Sequence, residues 1–249
     1  MRQFLEHAMK MLSSSMSRTQ ERSLLSLEED LMAFFSKDLW QPAGLRRDLP
    51  IASTPVEKLG TMLDKMMRVE TLVSKLASSL GIERDQFQTV QEAASLAMSD
   101  LATAVVTEFT SLAGIMARHY ALRDGYSEEV AEAVFEITLP RHSGDILPKT
   151  DAGNVLAIAD RLDSLVGLFT AGCQPSSTND PFGLRRNAYG LVQLLVENEK
   201  NLNLRSALEL AAEVQPIKVD SIIIDNVHQF VTRRLEQYLV FISRNLHLL

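Results

Sequence analysis

Residues 155–169 constrain the fold more than any other stretch of this chain, because apolar side chains fill nearly every position (VLAIADRLDSLVGLF). The charged residues within this run are Asp160, Arg161 and Asp163. A helix that is apolar on all sides is normally buried. The run therefore predicts a buried helix that carries two carboxylates, three residues apart, on one face.

The composition is that of a globular protein with an aliphatic core. The chain has 249 residues, of which 46% are hydrophobic, 23% are charged and 6% are aromatic. Its apolar runs are too short to cross a bilayer. A single cysteine, Cys173, excludes an internal disulfide and a cysteine-rich zinc site. The net charge of −7 argues against general binding to nucleic acids, including DNA, so any RNA contact needs a local basic patch.

Apolar residues recur at three- and four-residue steps along most of the chain, and no segment of useful length alternates as a strand does. The fold class is therefore all-α. Proline and glycine between residues 37 and 55 predict a linker. Helices are predicted over 56–80, 85–107, 109–122 (interrupted near Gly114), 127–139, 151–170, 181–197 (capped by Asp180), 203–214 and 220–240.

Two acidic residues, Asp100 and Asp160, lie on helices that are otherwise nearly uncharged. A buried carboxylate is costly unless it is paired or coordinated. The sequence favours a salt bridge or a helix-capping bond over a metal site for each of them. Asp163, one turn after Asp160, either shares its partner or faces water.

Residues 58–168 resemble a degenerate member of the HD superfamily of metal-dependent phosphohydrolases. Lys65 and Ser99 stand where that family has histidine ligands, and Asp100 and Asp160 stand at its metal-binding aspartates. A lysine ammonium is a donor without a free lone pair, so it cannot bind a divalent ion. The resemblance implies an HD-like fold in which Lys65 neutralises the aspartates, with no metal and no hydrolase activity.

A closer resemblance links the chain to the β-subunit type of glycyl-tRNA synthetase, including its plant organellar form. It covers about Val56 to Leu239, and the loop Ala171–Asp180 is similar to the plant form. The segments that carry it are Glu57–Lys65, Asp100–Phe109, Gly114–Ala121, Leu139–Asp145, Ala157–Gly167 and Asp180–Arg186. Since that family's chains are several times longer, this chain is expected to be a fragment. The implied organisation is an N-terminal helical segment and linker (1–55), an HD-like domain (56–198) and the start of a truncated anticodon-binding region (199–249).

The resemblance implies a platform that holds tRNA(Gly), in an organelle, alongside other β-type domains and an α-type catalytic part. ATP is then a cofactor of the whole enzyme and not of this chain, which has no catalytic residues of its own. Five arginines are the candidate tRNA contacts: Arg118, Arg123, Arg141, Arg185 and Arg186. For the first three the sequence favours internal pairing with acids; for the last two both interpretations stay open. The alternatives are an HD-type phosphohydrolase and an inert, truncated helical interaction module.

Overall fold

The computed structural model describes residues 55–84 and 86–246, and this part of the chain contains helices and no strand, which confirms the all-α prediction. The α-helices are α1 (Met62–Leu76), α2 (Phe87–Leu96), α3 (Ala104–Glu108), α4 (Ile115–Arg123), α5 (Glu128–Glu136), α6 (Asp151–Thr170), α7 (Leu184–Glu197), α8 (Leu204–Glu213) and α9 (Ser221–Leu246). Short 3-10 helices span Pro55–Leu59, Ser99–Ala102 and Thr110–Leu112.

Helix α6 is the centre of the core, as its apolar run predicts. Every residue from Ala152 to Phe169 is buried except Asp160. The helix begins where the Thr150 hydroxyl accepts a hydrogen bond from the N–H of Gly153 at 2.9 Å, a standard N-terminal cap. Helices α1, α2, α5, α7, α8 and α9 all pack against it.

A buried glutamate fastens the start of α6 to α5. Glu136, which is 2% exposed, accepts hydrogen bonds from the N–H of Lys149 at 2.6 Å and from the hydroxyl of Thr150 at 2.5 Å. Gly153 faces this carboxylate so closely that a Cβ atom there would lie 2.6 Å from the Cβ of Glu136. The absence of a side chain at residue 153 therefore permits the close approach of the two helices.

Two of the predicted helices are interrupted. The segment predicted over 56–80 begins as a 3-10 helix, and α1 starts only after Thr61, which forms a capping box with Asp64. The helix predicted over 85–107 ends at Leu96, because Met98 takes a left-handed conformation with φ of 58°. The chain then turns so that Asp100 reaches the first turn of α4.

Helix α7 begins three residues later than predicted. The sequence places Pro181 in its first turn, but Gly183 adopts φ of 64° and the helix starts at Leu184. Asp180 still acts as a cap, since its carboxylate accepts hydrogen bonds from the N–H groups of Leu184 at 2.8 Å and Arg185 at 2.9 Å. The predicted interruption at Gly114 is confirmed, because α4 begins directly after it.

The last two helices share the core of the others. Phe230 of α9 packs edge-on against Phe169 of α6, with ring centroids 5.1 Å apart, and Tyr238 packs against Tyr189 of α7 at 5.3 Å. The division predicted at residue 198 stays a prediction, and the predicted segment 1–55 lies almost entirely outside the described residues. Among residues 55–84 and 86–246, no helix combines the length and apolar character needed to cross a membrane.

Candidate functional site

A buried ionic cluster joins α1 to α6. Nζ of Lys65 lies 2.6 Å from Oδ1 of Asp160 and 3.5 Å from Oδ2 of Asp163. Arg68 donates hydrogen bonds to both carboxylate oxygens of Asp163, with Nε 2.7 Å from Oδ1 and Nη2 3.3 Å from Oδ2. Its Nη1 donates to the carbonyl of Leu59 at 2.8 Å. Two cations and two anions therefore compensate one another inside the core.

Neutral polar groups complete this cluster. Lys65 donates to the Ser164 hydroxyl at 2.6 Å, and the Gln215 side-chain amide donates to Asp163 at 2.9 Å. Asp163 is 1% exposed, so it shares the partner of Asp160 and does not face water. Buried charges persist when they are paired and hydrogen-bonded in this way. The cluster therefore holds α1 against α6 through buried ion pairs and hydrogen bonds.

Asp100 has a different partner, the N-terminus of α4. Its Oδ2 accepts hydrogen bonds from the N–H groups of Gly114 at 2.7 Å and Ala117 at 3.1 Å. Burial raises the pKa of this carboxyl above its usual range, although both bonds oppose the shift. Ser99, the preceding residue, is also buried and begins a 3-10 helix. The capping bond is one of the two partners that the sequence favours for this acid.

No group of three or more histidine, cysteine, aspartate and glutamate side chains is arranged to hold a metal ion among residues 55–84 and 86–246. The assignment of Lys65, Ser99, Asp100 and Asp160 as positions of a lost metal site stays a prediction. What the structure adds is that Lys65 and Asp160 form a close ion pair. The ammonium group therefore neutralises this carboxylate directly.

A cavity of about 700 Å³ opens beside the ionic cluster. Asp100, Asp160 and Asn187 all line it. Its lining also includes the buried apolar residues Val134 and Ile137. The cavity therefore brings acidic, amide and apolar groups from separate helices to one concave surface.

Three arginines also line this cavity: Arg141, Arg161 and Arg186. Arg161 is 6% exposed and donates to the carbonyls of Ala157 at 2.9 Å and Pro140 at 3.0 Å. Burial lowers the pKa of Arg161 to about 10, which leaves it cationic near neutral pH. The sequence signal for Arg161 was its position as the one cation in an apolar run, and the prediction did not use it.

Arg185 and Arg186, which were predicted to act together, have different surroundings in the structure. Arg185 donates to the carbonyl of Ser176 and lies 3.7 Å from Asp180. Arg186 is exposed, lines the cavity, and makes no ion pair with any residue in the described part of the chain. Asp180 occupies the N–H groups of the first turn of α7, so the backbone half of the predicted phosphate site is already filled by an internal carboxylate.

Two arginines of α9, Arg233 and Arg234, lie near Arg185. Burial lowers the pKa of Arg234, the positive charges of Arg185 and Arg233 lower it further, and the nearby carboxylate of Asp180 opposes the shift. Arg234 also stacks on Phe230, with Cζ 3.6 Å from the ring centroid. We call Arg185, Arg233 and Arg234 the arginine cluster. Sequence reasoning missed its α9 members, whose only signal is two adjacent arginines on a polar face.

The other three predicted arginines lie apart from this cluster. Arg118 pairs with Glu132 at 2.6 Å, and Arg141 pairs with Asp145 at 2.8 Å, as the sequence favoured. The hydrogen bond from Arg141 holds the pKa of Asp145 well below its usual range. Arg123 is exposed at the last turn of α4, where no ion pair to another described residue is present.

Comparison with known proteins decides the family. The model of the family described as glycyl-tRNA synthetase beta subunit matches residues 14–245. The chain belongs to this glycyl-tRNA synthetase beta subunit family. It is 64% identical over 220 residues to the glycine–tRNA ligase, chloroplastic/mitochondrial 2, of Arabidopsis thaliana, covering 88% of this chain and 21% of that protein.

Bacterial members of the family are more distant. The glycine–tRNA ligase beta subunit of Desulforamulus reducens is 40% identical over 221 residues, covering 87% of this chain and 32% of that subunit. That of Chromohalobacter salexigens is 45% identical over 183 residues, covering 74% and 26%. The chain spans between about a fifth and a third of the length of these glycyl-tRNA synthetase relatives. Their names give no support to the phosphohydrolase alternative.

Proposed function

We propose that this chain is the part of a glycine–tRNA ligase that helps to bind and position tRNA(Gly), while the aminoacylation chemistry takes place elsewhere. The proposal is supported by membership of the glycyl-tRNA synthetase beta subunit family and by the arginine cluster. On a chain with a net charge of −7, these three guanidinium groups outnumber the neighbouring carboxylate of Asp180 and form a local site for the phosphates of RNA.

The geometry of the cluster suits a phosphate backbone. Arg185 is part-exposed and Arg233 is exposed, so both can present planar donors to phosphate oxygens. Arg234 is held against Phe230 and donates to its carbonyl at 2.9 Å. The cluster therefore offers Arg233 and the part-exposed Arg185 beside a third arginine that is held against Phe230.

In the proposed enzyme, an α-type catalytic subunit or fused domain binds ATP and glycine, and other β-type domains complete the platform. An organellar location is supported by the chloroplastic/mitochondrial name of the Arabidopsis relative. No catalytic residue and no resident cofactor is assigned to this chain. The HD-type resemblance of residues 58–168 remains part of the proposal as a fold without a metal site.

The arginine cluster is tested by filter binding of tRNA(Gly) over a series of salt concentrations. Replacing Arg185 and Arg233 by alanine together is expected to weaken binding and to lower the slope of log affinity against log salt by about 2, because each lost phosphate contact contributes roughly 1. A matched control replaces the exposed Arg84 and Arg205 by alanine, which removes the same charge elsewhere.

The control double variant is expected to bind within about twofold of the parent, because Arg205 pairs with Asp225, about 12 Å along α9 from Arg233. If both double variants lost the same tRNA affinity, the loss would come from the change in overall charge, which would contradict a localised site. Unchanged binding in the Arg185 and Arg233 variant would reject the cluster.

A further inference from the structure

The cavity beside the ionic cluster has a graded lining. Of its lining residues, Val134, Ile137 and Arg161 are almost fully buried, whereas Arg141 and Arg186 are exposed. The exposed pair therefore marks the mouth of the cavity. A buried lining that combines apolar side chains with charged groups, beneath a cationic mouth, matches a ligand with a flat, partly apolar part and an anionic end.

Two other lining side chains suit a nucleobase. Phe182 is half-buried in the cavity wall and offers an aromatic surface for stacking. Asn187 also lines the cavity, and its Oδ1 is buried and has no hydrogen-bond partner among the described residues. A buried amide oxygen without a partner is unfavourable by itself, and rotation of the Asn187 amide towards the cavity would let an exocyclic amino group of a base satisfy it.

The charge balance favours an anion at this place. The carboxylates of Asp160 and Asp163 are compensated by Lys65 and Arg68, and Arg141 is paired with Asp145. The remaining lining charges are two guanidinium groups, at Arg161 and Arg186, against one carboxylate, at Asp100. The cavity therefore carries an excess of one positive charge, and its exposed guanidinium at Arg186 is available for a phosphate.

The size of the cavity agrees with this chemistry. At about 700 Å³ it falls within the range of about 300–1,000 Å³ typical of sites for small organic ligands. We propose that the cavity receives one unstacked nucleotide, with its base between Phe182 and Ile137, its base edge on Asn187 and its phosphate on Arg186. This inference rests on the proposed function in taking an unpaired nucleotide of tRNA as the occupant; a free mononucleotide has the same chemistry.

Dimethyl sulfate probing of tRNA(Gly) bound to the 249-residue chain tests the inference at nucleotide resolution. This reagent methylates the pairing edges of exposed adenine and cytosine. The parent chain is expected to protect an unpaired nucleotide, and Asn187→Leu is expected to reduce that protection roughly tenfold, because a base-edge contact is lost. Arg186→Ala, at an exposed position, is expected to weaken protection of the same nucleotide. Asn201→Leu, at another exposed position, serves as the matched control.

Equilibrium dialysis with the four ribonucleoside monophosphates, AMP, CMP, GMP and UMP, shows whether the occupant of the cavity is a nucleotide of tRNA or a free mononucleotide. If tRNA binds but no protected nucleotide depends on Asn187 or Arg186, and no mononucleotide binds, the cavity proposal is overturned while the arginine cluster stands. If tRNA fails to bind, the proposed function fails, and the mononucleotides alone decide the cavity. Binding that Asn187→Leu weakens supports a nucleotide site, and absence of binding rejects it.

Discussion

Replacing Asp163 by asparagine is expected to lower the free energy of unfolding by about 3–5 kcal/mol, since it removes one partner from a buried ion-pair network. The substitution removes from Arg68 its ion-pair partner among the described residues, and it removes from Lys65 one of the two carboxylates that it contacts on α6. The side chain of Asp163 is 1% exposed, so water cannot replace the lost contacts. Urea unfolding followed by circular dichroism measures the change.

Lys75→Ala provides the control for this experiment. Lys75 pairs with Glu213 at 2.5 Å, but both side chains are more than one-third exposed, and pairs of this kind contribute about 0–1 kcal/mol. The double substitution Arg68→Met with Asp163→Leu is expected to recover much of the stability lost in Asp163→Asn, because it removes both charges and keeps apolar volume. If Asp163→Asn lowered the free energy of unfolding by less than about 1 kcal/mol, the ionic cluster would not be what holds α1 against α6.

Gly153→Ala is expected to destabilise the fold by about 2–4 kcal/mol, through overpacking and through loss of the hydrogen bonds of Glu136. The added Cβ would lie 2.1 Å from Oε2 and 2.6 Å from Cβ of Glu136. The Cβ of Glu136 is fixed by its helix, so relief requires α5 and α6 to separate. The midpoint and slope of thermal and urea unfolding curves measure the effect.

Gly167→Ala is the matched control on the same helix. Its new Cβ would lie 2.7 Å from Oε1 of Gln215, at the end of a long side chain whose amide donates to Asp163, and 3.4 Å from Leu59. Rotation of the Gln215 side chain relieves the contact at the cost of about one hydrogen bond, which the preference of the helix for alanine over glycine, about 1 kcal/mol, offsets. We therefore expect Gly167→Ala to be close to neutral. Equal destabilisation by both substitutions would show that the approach of Glu136 is not special.

The sequence predicted the helices whose ends carry local signals and missed breaks that depend on tertiary contacts. Helix α6 is found within its predicted bounds because an apolar run and the Thr150 cap define it. The break at Met98 has no proline or glycine to announce it. Its left-handed conformation brings Asp100 to the N-terminus of α4, a contact between elements that a local pattern does not encode.

The site residues divide in the same way. A partner for Asp160 was predicted because a carboxylate on an apolar helix needs one. The signal for the full cluster was not used: Lys65 and Arg68 on α1 have the same three-residue spacing as Asp160 and Asp163 on α6. Of the three members of the arginine cluster, the sequence singled out only Arg185. Residues 185 and 233 lie on different helices, and periodicity along one helix does not show which faces meet.

Ultraviolet cross-linking of tRNA(Gly) to the unmodified 249-residue chain, with mass spectrometry of the cross-linked peptides, locates the RNA on the protein most directly. We predict cross-links in the loop before α7, in the first turn of α7 up to Asn187, and in α9 near Arg233. Cross-links confined to α2 or to the region of Arg205, with none at these positions, would contradict the account of this surface as the holder of tRNA.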